Sequence, residues 1–292
     1  MRGASTFRRS SQIFLWAFPF ISGALFAFFP FNGWKPHIAV ALGHAVLIGA
    51  AVWILGADVV KSDDSRQRAV LAAGVLLVAS VVIVSTLFGM GPPPQDPAVY
   101  LATRGDQQLR YMALMAAALV VFGGFTVLSG ALQDAEDRIF SRIALAAITI
   151  ATVLFVLDSL LVYVIVEMLQ QKQSSGKTPD WWLAVRAYYL PLHQVAVTLI
   201  YLATVAYATA LRRAGWFGGI SSRLFAGISL AAAVLVLLYP VGGKIGAPGF
   251  VLGIPAVPYV MPYLMGILLV TRAGRLAGEI DTAAEQTRRA SA

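Results

Sequence analysis

The chain has 292 residues, of which 59% are hydrophobic and only 12% charged, and its mean hydropathy is +0.76. Soluble domains carry about 25% charged residues, so a soluble globular fold is excluded and lipid is the expected solvent. The absence of cysteine excludes disulfides, thiolate catalysis, Cys-ligated zinc and iron–sulfur clusters. The net charge of +8 sits at helix ends and forms no long basic run, so no nucleic-acid partner is expected.

At the N-terminus, Arg2, Arg8 and Arg9 precede an apolar run. Bulky Phe28, Phe29 and Phe31 stand where a cleavage site would need small residues, so the pattern predicts an uncleaved first helix over 12–33. Further apolar stretches, each long enough to supply the roughly 20 residues a span requires, predict helices over 38–60, 68–90, 109–132, 142–170, 182–211, 223–243 and 249–271. The expected fold is therefore all-α. It is a polytopic membrane protein with a single transmembrane domain over 1–292. A cytoplasmic N-terminus covers 1–11, a bundle of about eight helices covers 12–271, and a cytoplasmic tail covers 272–292.

An even count puts both termini on one side. With the N-terminus inside, fifteen of the 22 Lys and Arg residues fall on inner segments and seven on outer ones. The loops are short enough for that bias to set orientation, which predicts N-in/C-in. Trp34, Trp181 and Trp182 then lie at outer ends, as an interfacial belt requires. The longest loop, 91–108, is outer and opens with Pro92, Pro93 and Pro94. Asp63 and Asp64 beside Arg66, and Asp134, Glu136 and Asp137 beside Arg138, read as hydrated inner loops, so no metal site is expected. Gly49 and Gly56, two turns apart, are expected to let helices pack closely. The stretch from Leu192-His193-Gln194 through Leu211 to Trp216 resembles segments of bacterial multipass families with no assigned activity. That resemblance implies a multipass protein of a bacterial cytoplasmic (inner) membrane, and no chemistry.

The informative residues are ionisable groups inside apolar helices. A carboxylate at a helix centre costs about 2.5–3.5 kcal/mol on insertion scales. Asp158, in Phe155-Val156-Leu157-Asp158, sits near the middle of the fifth helix and is too short to snorkel. His193 lies at a similar depth on the sixth, across a short connection, so the two are expected to meet. Arg186, Tyr189 and His193 recur at i, i+3 and i+7 and share one helix face. Glu167 faces away from Asp158, near the outer interface. His44 lies six residues inside the second helix. Pro255, Pro258 and Pro262, with Tyr259 and Tyr263 alongside, predict that the eighth helix is either broken or starts late.

These residues predict an outward-facing polar cavity that binds or transports a small molecule, ion or lipid. Arg186 would stand at its mouth, a proton-linked Asp158–His193 pair at its base, and Tyr189 and Tyr259 in its walls. The alternative is an intramembrane enzyme using the pair for acid–base chemistry on an apolar substrate. Soluble-enzyme motifs are absent. Haem b between His44 and His193 would need one depth, and the two differ by about 7–8 Å at the helical rise; no cofactor is assigned. A ligand-free accessory subunit is the remaining reading. The lipid bilayer is the one partner the composition requires, and nothing in the sequence sets an oligomeric state.

Overall fold

The computed structural model describes residues 2–28, 33–87, 90, 93–94, 96–133 and 138–274. Pro92, the acidic cluster of Asp134, Glu136 and Asp137, and the tail beyond 274 lie outside them. Among the described residues there are helices and connections, and no strand. In chain order the helices are α1 (Arg2–Phe28), α2 (Trp34–Val60), α3 (Ser65–Val84), α4 (Pro97–Ala102), α5 (Arg104–Ala131), α6 (Arg138–Ser175), α7 (Trp181–Arg213), α8 (Gly219–Leu237), α9 (Gly243–Gly253) and α10 (Val257–Gly274). Seven of them, all but α1, α4 and α9, are long and apolar enough to cross a membrane. The protein is thus an all-α polytopic membrane protein.

Local chemistry sets the ends. Asp64 caps α3 by accepting from the amides of Arg66 and Gln67, and Asp96 caps α4 by accepting from Ala98 and Val99. Gly215, at φ 74°, closes α7, with the Trp216 amide donating back to Leu211.

α1 is not among the seven, yet it packs along α2. Arg8 pairs with Asp58 at 2.9 Å and Ser22 contacts His44 at 3.1 Å. Each step forward along α1 is therefore matched by an equal step back along α2, which makes them antiparallel neighbours. Arg8 also donates to the carbonyl of Gly274 at 3.5 Å, so the start of α1 and the end of α10 share one face. Arg66, bonded to the carbonyl of Ala131, and Arg213, over the ring of Phe140, lie on that face too. The basic residues that orient the chain thus collect at one end of the bundle.

Two cores hold the helices together. The larger joins α3, α5, α6, α7, α8 and α10 around Phe125, Phe155, Tyr201, Tyr207 and Tyr259. The smaller joins α1 and α2 to the opposite faces of α3 and α10. The outer surfaces remain apolar: Leu42, Val46 and Trp53 of α2 are 63%, 71% and 63% exposed. Large aliphatic side chains turned outward over whole helix lengths fit a lipid solvent and would aggregate in water.

Glycines set the closest crossings. A Cβ on Gly74 or Gly266 would strike the carbonyl of the other, so α3 and α10 meet backbone to backbone. Gly56 packs against Leu71, as its position on α2 suggests, but Gly49 faces open space. Tyr207 ties α7 to α5, donating to the Phe125 carbonyl at 3.0 Å and sharing a 2.7 Å hydrogen bond with Ser129. Tyr207→Phe keeps the stacked ring on Phe125 and loses both bonds. Its cost should be about 1–2 kcal/mol, read as a lowered unfolding midpoint in micelles.

Two features differ from the sequence expectation, and a third decides between the two readings of the eighth segment. α6 has 38 residues and α7 has 33. At 1.5 Å per residue both exceed the roughly 30 Å hydrocarbon core, so their connection projects beyond it. The outer loop contains the short helix α4, whose Tyr100 packs against Met168 and Leu169 of that projection. The eighth apolar segment is broken: α9 stops at Gly253, Ile254 is extended (ψ 128°), and α10 resumes at Val257. Pro255 explains the break, because it forces the residue before it out of the helical region.

Candidate functional site

Asp158 and His193 are brought together. His193 Nδ1 lies 2.9 Å from Asp158 Oδ2, and the two residues are 2% and 8% exposed. The hairpin of α6 and α7 fixes this meeting, because both helices are continuous through the pair and antiparallel. Asp158 stands 16 residues beyond Arg142, about 24 Å along α6, and so lies toward the projecting end and away from the basic face.

The second imidazole nitrogen is also engaged. His193 Nε2 lies 2.8 Å from the carbonyl of Gly253, and the Tyr201 hydroxyl donates to the carbonyl of Leu252 at 3.1 Å. Both carbonyls belong to the last turn of α9, where the helix itself supplies no donors. A carbonyl only accepts, so Nε2 must carry a hydrogen. One further proton then lies between Nδ1 and Oδ2. The pair is an imidazolium facing a carboxylate, or a neutral imidazole facing a carboxylic acid. Both arrangements have zero net charge, which is how a carboxyl persists at this depth.

A cavity of about 590 Å³ opens beside this pair, within the range of small-molecule sites. Its polar lining consists of Arg110, Tyr111, Tyr189, His193, Gln194 and Tyr239. Leu87, Leu114, Leu190, Val236, Phe250 and Ile254 supply apolar walls. Tyr189 stacks on His193 with ring centroids 6.4 Å apart, and Tyr111 of α5 lies beside Tyr189. Above them Tyr100 of α4 faces Tyr111 and Arg110; burial chiefly, and Tyr111 next, hold its hydroxyl above the ordinary range, so it stays neutral. The Nε2 of Gln194 and the Oδ1 of Asp158 are buried with no hydrogen-bond partner among the described residues. Buried polar atoms left in that condition mark a place where a polar group from elsewhere fits.

No protein-family profile matches the chain, and neither a curated protein nor a solved structure is similar to it.

The remaining sequence candidates fall in different places. Arg186 is exposed and outside the cavity lining. Tyr259 is fully buried behind the cavity, edge-on to Phe155 and donating to the Leu114 carbonyl at 3.2 Å. Glu167 is exposed and accepts from Gln171 at 2.8 Å. His44 sits in the seam of α1 and α2 against Ser22, Phe18 and Phe26, on helices that contribute nothing to the cavity. Among the described residues, no three His, Asp or Glu side chains gather as a metal site would need.

Arg110 was missed by sequence reasoning. It lies six residues into α5 and reads there as an interface residue. The signal is its register: Tyr207 of α7 meets Phe125 and Ser129 of α5, so on these parallel helices Arg110 falls just outward of His193. Its guanidinium donates to the carbonyl of Met90 at 3.4 Å and lines the cavity above the pair.

Proposed function

We propose that the protein binds, and moves across or out of the bilayer, a small amphiphile with an apolar body and one anionic or hydrogen-bond-accepting head. The observation that carries this reading is the cavity itself: apolar walls for the body, Arg110 for the head, and the Asp158–His193 pair at its base. A guanidinium presents its donors in a planar fork that suits a carboxylate or phosphate head. The net-neutral pair below can give or take one proton, which supports a proton-linked cycle. With the basic face cytoplasmic, the cavity lies toward the outside.

Acid–base catalysis on an apolar substrate is less well supported, because both nitrogens of His193 are occupied. A general base needs a nitrogen within reach of its substrate's proton. The appearance of a chemically altered lipid after incubation would favour the enzyme instead. The protein is also proposed to lie in a bacterial inner membrane, which cell fractionation tests.

The binding test uses a fluorescent long-chain carboxylic acid and the alcohol of equal length, added to the protein in nanodiscs. The acid should bind about tenfold more tightly than the alcohol, the equivalent of about 1.4 kcal/mol from one charge-assisted contact. Arg110→Gln should erase that preference. Leu190→Trp, at a half-exposed wall position, should fill the cavity and weaken both probes. Undiminished binding by Leu190→Trp overturns the assignment.

A further inference from the structure

The cavity's wall on the α9 side is one helix thick and held unevenly. Its N-terminal end is anchored. Gly246 and Gly249 press on backbone carbonyls of Tyr239 and Leu235 closely enough that neither has room for a Cβ. The turn into α9 uses Gly242 and Gly243 at φ 73° and 57°, conformations that other residues rarely adopt. The C-terminal end lines the cavity through Gly253, Ile254, Pro255 and Ala256. Val251, on the other side of this end, is 54% exposed, and Ile254 in the cavity wall is 41% exposed, so neither has much packing to hold it. Two hydrogen bonds tie this end to α7: Tyr201 to Leu252 and His193 to Gly253.

We propose that the last turn of α9 and the break after it form a gate over the cavity. It is latched by the imidazole of His193 while the His193–Asp158 pair keeps its shared proton, and released when that proton leaves. The gate serves the binding site proposed above and so rests on that reading, but its mechanism rests on hydrogen-bond bookkeeping alone.

When the pair loses its proton, a neutral imidazole faces a carboxylate on one side and a carbonyl on the other, with one hydrogen to share. If that hydrogen stays on Nε2, a lone pair on Nδ1 meets a full negative charge at 2.9 Å. If it moves to Nδ1, it makes a charge-assisted bond to Asp158, and a lone pair on Nε2 meets the Gly253 carbonyl at 2.8 Å. Charge-assisted hydrogen bonds are roughly twice as strong as neutral ones, so the second arrangement wins and the carbonyl is expelled. The latched form is therefore complete at low pH and lost as pH rises. The groups facing the pair are Arg110 and Tyr111 of α5, Tyr189 and Tyr201 of α7, Tyr239 after α8 and Tyr259 of α10. The titratable residue of α9 itself, Lys244, is exposed at the anchored end. Asp158 is thus the one carboxylate among them.

The cysteine-free chain allows a direct test, without ligand. Gln194→Cys places one thiol in the cavity, and Ser174→Cys on the projecting connection supplies the correction for thiolate content. In nanodiscs, corrected labelling of position 194 by a charged, water-soluble thiol reagent should rise on the order of tenfold from about pH 6 to about pH 9, as a minor open state becomes the main one. Asp158→Asn should flatten the rise and keep labelling low, because the amide donates to Nδ1 and leaves Nε2–H on Gly253. If Asp158→Asn does not fold, Asp158→Ala combined with His193→Phe, which removes both the proton and the latch, should label highly at both pH values. A parent protein without pH dependence overturns the gate, as does an unchanged slope in either variant. Failure of the amphiphile to bind would leave this labelling result intact, and the reverse holds too.

Discussion

Asp158→Ala should lower the stability of the folded protein by about 3–5 kcal/mol, the largest effect of any single truncation in the bundle. The reason is the partner left behind: His193 Nδ1 would face an apolar gap inside the core formed with Phe155 and Tyr259. Asp158→Asn should cost roughly 1 kcal/mol, since it keeps a donor for Nδ1 and is scarcely altered in volume. Combining Asp158→Ala with His193→Phe should recover much of the loss, because no polar group is then stranded. Unfolding in mixed micelles measures all three. The exposed Glu167→Ala is the control, expected within about 0.5 kcal/mol of the parent. Equal costs for Asp158→Ala and Glu167→Ala would mean that the carboxyl is not buried against the imidazole.

Gly249→Val should cost about 1–3 kcal/mol and disturb the cavity as well. The added Cβ meets the carbonyl of Leu235, and backbone cannot step aside as a flexible side chain can. α9 must then move off α8, which pulls Leu252 and Gly253 from Tyr201 and His193 and opens the cavity. Gly253→Ala is the matched control: its Cβ would meet nothing within 4 Å and its φ is not positive, so its stability should stay near the parent's. The pair is read by thermal melting together with labelling of Gln194→Cys. Equal melting points for the two glycine variants would show that α9 is not seated on α8.

Much of the fold is legible in the sequence because hydrophobic length and basic flanks follow directly from the solvent. The Asp158–His193 contact was legible for a related reason. A lone acid in hydrocarbon needs a partner, and two helices joined by a short connection offer few at one depth. The cavity's cation was not. Arg186 and Arg110 both sit near outer helix ends, and choosing between them requires knowing which face of each helix turns inward. Arg186 turns to the exposed side of α7, outside the cavity lining, whereas α5 presents Arg110 to the cavity. Tyr259 shows the same limit: the proline cluster marks an irregular segment correctly, but not that Tyr259 turns into the core while Gly253 and Ile254 turn to the cavity. The Gly253 carbonyl has no sequence signature at all, since any residue supplies one. It becomes chemically specific only because Pro255 ends α9 and leaves the last turn without internal donors.

A cryo-EM map of the protein in lipid nanodiscs would be the most direct examination of the site. The His193 ring should lie between the Asp158 carboxyl and the Gly253 carbonyl, with elongated non-protein density running from Arg110 down toward it along Leu114 and Leu190. An Asp158 side chain turned to the lipid, an imidazole several ångströms away, and a cavity filled by neighbouring side chains would remove the chemical basis for binding.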